Sequence, residues 1–223
     1  MHELTRAKEP FVFYTRLHLS ELTGLKAATL EQLLSLIKDV SGSCIYHHTH
    51  RFLQQHQYLS PEPPNDFAYW VAQVLGEDEL AEELASIDTF QFTHIKELRQ
   101  SIVGTIENYL KENSSSKLRF AMEGEEFYFI KSHSFVLPTK YAAYDLKEFA
   151  DILNKITFDS IYFHIFEARL RLGKNFNDFS TWFENALGEK KLADEILKLD
   201  PYTYTLDKLR QTLIQLIERR IME

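Results

Sequence analysis

The second half of this chain repeats the first, and that recurrence narrows the folds open to it more than any other feature. Ile45-Tyr46-His47-His48 returns as Ile161-Tyr162-Phe163-His164, 116 residues later. Asn65-Asp66-Phe67 and Trp70 return as Asn177-Asp178-Phe179 and Trp182, 112 residues later. Gly76-Glu77, Leu80 and Asp88 recur at the same spacing as Gly188-Glu189, Leu192 and Asp200, and Leu98-Arg99-Gln100 recurs one residue closer as Leu209-Arg210-Gln211. Phe11-Val12-Phe13-Tyr14 has its counterpart in Phe127-Tyr128-Phe129-Ile130. So many ordered matches with so few gaps imply a tandem duplication and pseudo-twofold packing of two halves. The divisions read as a lead-in over 1–10, a first helical repeat over 11–112, a linker over 113–124 and a second, degenerate helical repeat over 125–223.

Each half reads as helical. Only 7 Gly and 6 Pro interrupt the chain, so long stretches are free to wind. Thr29 stands three residues before Gln32, a capping-box spacing, and starts a stripe of Leu30, Leu33, Leu34, Ile37 and Val40. Ser43 is placed to cap a histidine-bearing helix from Cys44 to about Tyr58. The prolines from Ser60 to Pro64 end it. Asn65 or Asp66 then caps a helix that Gly76 closes, Glu77 to Ile87 forms a short one, and Thr93 caps a long one. Asp145 opens the corresponding helix of the second half. After the β-prone run at Phe11, Thr23-Gly24 reads as a turn. The two β-prone runs give one short strand per half, expected to pair with each other because an isolated strand leaves its backbone unpaired. The expected fold class is mainly α, an internally duplicated helical domain, and 17 Phe with 11 Tyr predict a bulky aromatic core.

The two copies differ where chemistry is expected. Four residues missing from the second copy fall between Phe52 and Pro64, so the Ser-Pro-Glu-Pro-Pro turn belongs to the first repeat alone. At about 100° per residue, Ile45, His48, Thr49, Phe52 and His56 share one helix face, and His47, His50 and Arg51 the opposite one. The second copy has Phe163, Phe166 and Glu167 on that opposite face, so both faces are expected to be sheltered. Sheltered polar groups need partners, and Glu62 and Asp66 across the proline turn are the nearest. The candidate ligand-binding residues are therefore His47, His50, Arg51, His56, Glu62 and Asp66. Three readings stay open. His47 and His50 at i, i+3 with Asp66 could hold a divalent transition metal, His18 or Glu62 completing the shell. Arg51 flanked by histidines could hold a small-molecule anion or sugar phosphate. A hydrogen-bonded network joining the helix to the turn needs no ligand.

Other residues have plainer readings. His48 and His164, matched and set beside apolar neighbours, are expected to be satisfied core histidines. Asn65, Asp66, Asn177 and Asp178 read as caps, Trp70 and Trp182 as core, and Arg99 and Arg210 as partners in ion pairs. Cys44 sits at a helix start, where a thiolate is favoured, but Ser160 at the matching position makes a small helix-start residue the simpler account. A net charge of −8 without a basic block argues against nucleic acid. A single cysteine rules out a disulfide within the chain and a thiolate zinc site. No apolar run approaches the roughly 20 residues that span a bilayer, and the start lacks an apolar signal region, so a cytoplasmic protein without membrane contact is expected. No dinucleotide-binding glycine motif, P-loop or nucleophile elbow occurs.

The run YHHTHRFLQQHQYLSPEPPNDFAYWVAQVLG, with HLSELTG upstream and IDTFQFTHIKELR downstream, resembles a bacterial and archaeal family classed as a domain of unknown function. The likeness covers roughly Phe11 to Leu110 and, more faintly, the second half. The matched pattern includes His18, His48, His50, Arg51, His56, Glu62 and Asp66, and implies no catalytic role. The resemblance also implies relatives beside carbohydrate-handling enzymes, which suits a sugar or sugar-phosphate ligand. The leading expectation is a soluble ligand-binding or regulatory module with a polar pocket in the first repeat. Two alternatives stand beside it. One is a metal- or histidine-dependent enzyme acting on a sugar or phosphorylated small molecule. The other is an assembly protein whose acidic run GEDELAEELASID meets a protein partner or a second copy.

Overall fold

A computed structural model of the chain describes residues 5–52, 64–173, 176–199 and 205–223. These are mainly helical, with a two-stranded antiparallel sheet of β1 (Phe11–Ala27) and β2 (Phe127–Ala143). The expected pairing is present, but each strand is 17 residues long, far longer than the short strands expected. Only the first turns of each strand alternate buried and exposed side chains, with Phe11 and Phe13 inside and Val12 and Tyr14 outside. Beyond them the partner strand, not a buried face, supplies the pairing, so no local pattern marks it. Thr23-Gly24 is absorbed into β1. Gly24 adopts a left-handed φ of 78°, and the Thr23 hydroxyl donates to the Phe129 carbonyl at 2.7 Å.

Capping chemistry sets the helix starts. Helix α1 (Leu30–Asp39) opens on Thr29, whose side chain accepts from the Gln32 N–H, while Gln32 accepts from the Ala28 N–H. Helix α2 (Gly42–Tyr46) follows Ser41, two residues before the expected cap, and runs on as a π turn over His47–Arg51. Asn65 caps α3 (Asp66–Trp70), which continues as a π turn over Val71–Leu75 and ends on Gly76 at φ 64°. Then come α4 (Asp78–Ala85) and α5 (Ile95–Glu112). After β2, Asp145 caps α6 (Leu146–Leu153), and α7 (Phe158–Tyr162) continues through a π turn at Phe163–Glu167 into Ala168–Leu172. The last three are α8 (Asp178–Leu187), α9 (Lys190–Leu197) and α10 (Leu206–Met222). Asn177 caps α8 reciprocally with Ser180.

Packing forms two compact units. Among the described residues, one joins the stretch up to Leu17 to that from Phe135 to Glu223, and so holds α6–α10. The other, from His18 to Ser134 among the described residues, holds α1–α5. In the α6–α10 unit, Phe11 packs on Phe149 and Phe179 at 5.4 and 5.3 Å between ring centroids, and Phe13 on Phe149 at 4.9 Å. In the α1–α5 unit, Phe127 packs on Phe67 at 5.2 Å and Trp70 at 5.8 Å, over a core with Leu30, Leu33, Ile37, Ile45 and Leu98. The α6–α10 set thus builds its aromatic core on the start of β1, and the α1–α5 set on the start of β2.

One further expectation changes. Arg99 donates to the Lys38 and Val40 carbonyls, and Arg210 to the Ile156 carbonyl, so both close a preceding helix end rather than make ion pairs. Within the α1–α5 unit, 113–124 is anchored: Arg119 donates to the Leu75 and Gly76 carbonyls and pairs with Glu77, and the Ala121 N–H donates to the Ala28 carbonyl.

Candidate functional site

The two matched histidines do the same work in both units. His164, on the π turn of α7, is buried; its Nε2 accepts from the Tyr14 N–H at 2.8 Å and its Nδ1 lies 2.7 Å from Asp178 Oδ2. Accepting at Nε2 places the ring proton on Nδ1, which donates to Asp178. Four residues earlier, the Ser160 hydroxyl donates to the Tyr14 carbonyl at 2.6 Å. One helix therefore satisfies both backbone groups of a strand residue, which keeps that edge from pairing elsewhere. His48 repeats the arrangement, with Nε2 accepting from the Ile130 N–H at 3.0 Å and Nδ1 2.7 Å from Asp66 Oδ2. Burial holds His164 below its ordinary histidine pKa, with the bond to Asp178 opposing that shift. With both nitrogens committed, neither ring offers a lone pair to a metal or a mobile proton to a substrate. The core reading of His48 and His164 holds.

The described residues of the expected site have these surroundings. His47 is buried with Nδ1 2.8 Å from Ser132 Oγ, and burial, then repulsion from His48, pushes its pKa down to about 4. His50 is fully buried, 3.2 Å from the Thr49 hydroxyl, stacked on Tyr46 and edge-on to Phe90. His18 stacks on the same Tyr46 ring and lies 2.9 Å from Ser134 Oγ. Asp66 serves His48, and Arg51 is half-buried. The expected metal ligands His47, His50 and Asp66 thus turn to different partners, and no three His, Cys, Asp or Glu side chains form a metal-ligating group among the described residues. A physical reason is the π turn. Its extra residue per turn breaks the 100° spacing from which the shared faces were read. His56, Glu62 and the proline turn lie outside the described residues.

A site the sequence reading missed lies in the α6–α10 unit: a cavity of about 640 Å³. One wall is apolar, with Val12 and Tyr14 from β1 and Val136 from β2. The other is a polar stripe on α8, Asp178, Thr181 and Asn185, with Trp182 and Ala186 beside it. Arg171 stands at the edge, its Nη2 2.5 Å from Asp178 Oδ2 and its guanidinium 4.6 Å from the centre of the Phe163 ring. The i, i+3, i+7 spacing of Asp178, Thr181 and Asn185 was a legible signal.

The comparisons with known proteins bear on the whole chain. The model of a family of unknown function, DUF5752, matches residues 8–218. The solved structure described as "The structure of OrfY from Thermoproteus tenax" is 30% identical in sequence, with a TM-score of 0.81 over 97% of this chain and 98% of that one. No curated protein matches.

Proposed function

The chain belongs to the family of unknown function DUF5752, and from that premise we propose that it is a ligand-binding or regulatory module rather than a catalyst. The observation that carries this reading is the commitment of both ring nitrogens of His48 and His164 to protein partners. The most suggestive feature of the sequence, its repeated histidine helix, is then accounted for as a clasp on a strand. The His18–Tyr46–His50 stack and the His47–Ser132 bond extend the same network in the first repeat. The clasp recurs with the same atoms on residues 116 and 112 apart, which also supports descent from a tandem duplication.

The test is metal content of the native, tag-free protein beside a His47→Ala, His50→Ala double variant, followed by thermal-shift screening with nucleosides and glycosides as well as sugar phosphates and nucleotides. The module reading expects no stoichiometric metal and a saturable shift with at least one ligand class. A transition metal near one per chain that vanishes in the double variant would overturn it in favour of a metal-dependent enzyme.

A further inference from the structure

The cavity of the α6–α10 unit has a charge balance and a division of walls that specify a ligand. Its volume of about 640 Å³ lies in the range of small-molecule sites. Arg171 is the one cation lining it among the described residues, and it is already engaged by Asp178 and by the face of Phe163. The Asp178 carboxylate lies on the same wall, so the pair offers no net positive charge to a phosphate or carboxylate. Hydrogen-bonding capacity nevertheless remains. Asp178 Oδ2 takes both His164 and Arg171, whereas Oδ1 has no partner among the described residues. The Asn185 side chain is exposed, and Thr181 spends its proton on the Asn177 carbonyl but keeps acceptor lone pairs. These groups form one stripe, and Val12, Tyr14 and Val136 on the strands add apolar surface, an aromatic ring and the tyrosine hydroxyl to the lining.

From this we infer that the cavity binds an uncharged ring compound with apolar faces and a hydroxylated edge, the face against Tyr14, Val12 and Val136 and the hydroxyls on Asp178, Thr181 and Asn185. A nucleoside and an aryl glycoside share that chemistry. The inference rests on the binding-module reading and adds the site and the ligand class to it. It differs from the sugar-phosphate expectation, because a phosphate here would meet Asp178 with no free cation to offset it.

Isothermal titration of the full chain with adenosine and with phenyl β-glucoside tests it, adenosine monophosphate and the glucoside 6-phosphate serving as charged counterparts. Saturable binding of one neutral probe with a Kd below about 1 mM is expected, and which probe binds identifies the source. Ala186→Phe, which fills the cavity, should abolish that binding. Asn185→Leu, at an exposed position that leaves the fold intact, should weaken it about tenfold. His47→Ala with His50→Ala should leave it unchanged. Absence of binding by both neutral probes, equal or tighter binding of the phosphates, or binding that survives Ala186→Phe would overturn the inference. Binding lost only in the histidine double variant would overturn it too, while leaving the module reading intact with its site in the first repeat.

Discussion

His47 in the α1–α5 unit and Phe163 in the α6–α10 unit each precede a clasping histidine and have opposite chemistry. His47 is polar and bonded to Ser132; Phe163 is apolar and carries Arg171 on its ring. The next residue is histidine in both, with the same carboxylate on one nitrogen and the same strand N–H on the other. What repeats is the device that holds helix to strand. What varies is the residue beside it: a histidine in a polar network on one side, a phenylalanine lining the cavity on the other. Four residues further on, Arg51 stands in one unit and Glu167 in the other, the latter buried and paired with Arg16 at 2.5 Å.

The strongest test of the shared device removes it from each side. His164→Ala and His48→Ala should each cost about 3 kcal/mol, from a stranded backbone N–H, a lost bond to the carboxylate and a small void. Urea denaturation midpoints read this directly. If one variant is neutral while the other is severe, the two clasps are not equivalent and the comparison fails.

Acid should separate the halves. His47 and His164 both sit below their unfolded pKa near 6.5, so the unfolded chain takes up their protons first as pH falls. Stability from these two groups is complete above about pH 6.5 and declines below it, for His47 down to its folded value of about 4. After allowance for partial solvation, His47 should account for about 2 kcal/mol of that loss. His47→Phe, which puts at this position the residue found at Phe163, should flatten the slope of stability against pH between 6.5 and 4. An unchanged slope would mean that His47 is not the group titrating.

Smaller effects sharpen the comparison. Arg99→Ala and Arg210→Ala should each lose about 1 kcal/mol, because both guanidiniums close a helix end, and Arg99 should lose more since it reaches two carbonyls against one. Equal losses in thermal melts would argue that stacking of Arg210 on Phe158, at 4.1 Å, makes up the difference. Asn65→Ala and Asn177→Ala remove matched caps at about 1 kcal/mol each. Proton-exchange rates at the first turns of α3 and α8 would show whether the reciprocal bond of Ser180 makes the second cap the harder to replace.

Much of the secondary structure was legible because its causes are local. Thr29, Asn65, Asp145 and Asn177 cap where their side chains can reach an N–H three residues on, and Gly76 and Gly188 end helices by adopting positive φ. The apolar stripe of α1 and the repeat spacing likewise depend only on order along the chain. The pairing of His48 with Asp66 joins residues 18 apart that lie on neighbouring helices, but the strand N–H on the other nitrogen comes from much further along the chain. That bond joins residues 82 apart, and nothing in either segment encodes the other.

Sequence by itself determined a mainly helical chain with a recurring histidine, cap and tryptophan pattern, because propensity, capping and periodicity act within a few residues. Tertiary structure alone decided that the strands run for 17 residues, that Phe11 joins the core of α6–α10 and Phe127 that of α1–α5, and that Arg171, Asp178 and Tyr14 meet around a cavity. Strand pairing and core packing are satisfied between distant segments, and their energy depends on which surfaces meet rather than on the order in which they are synthesised.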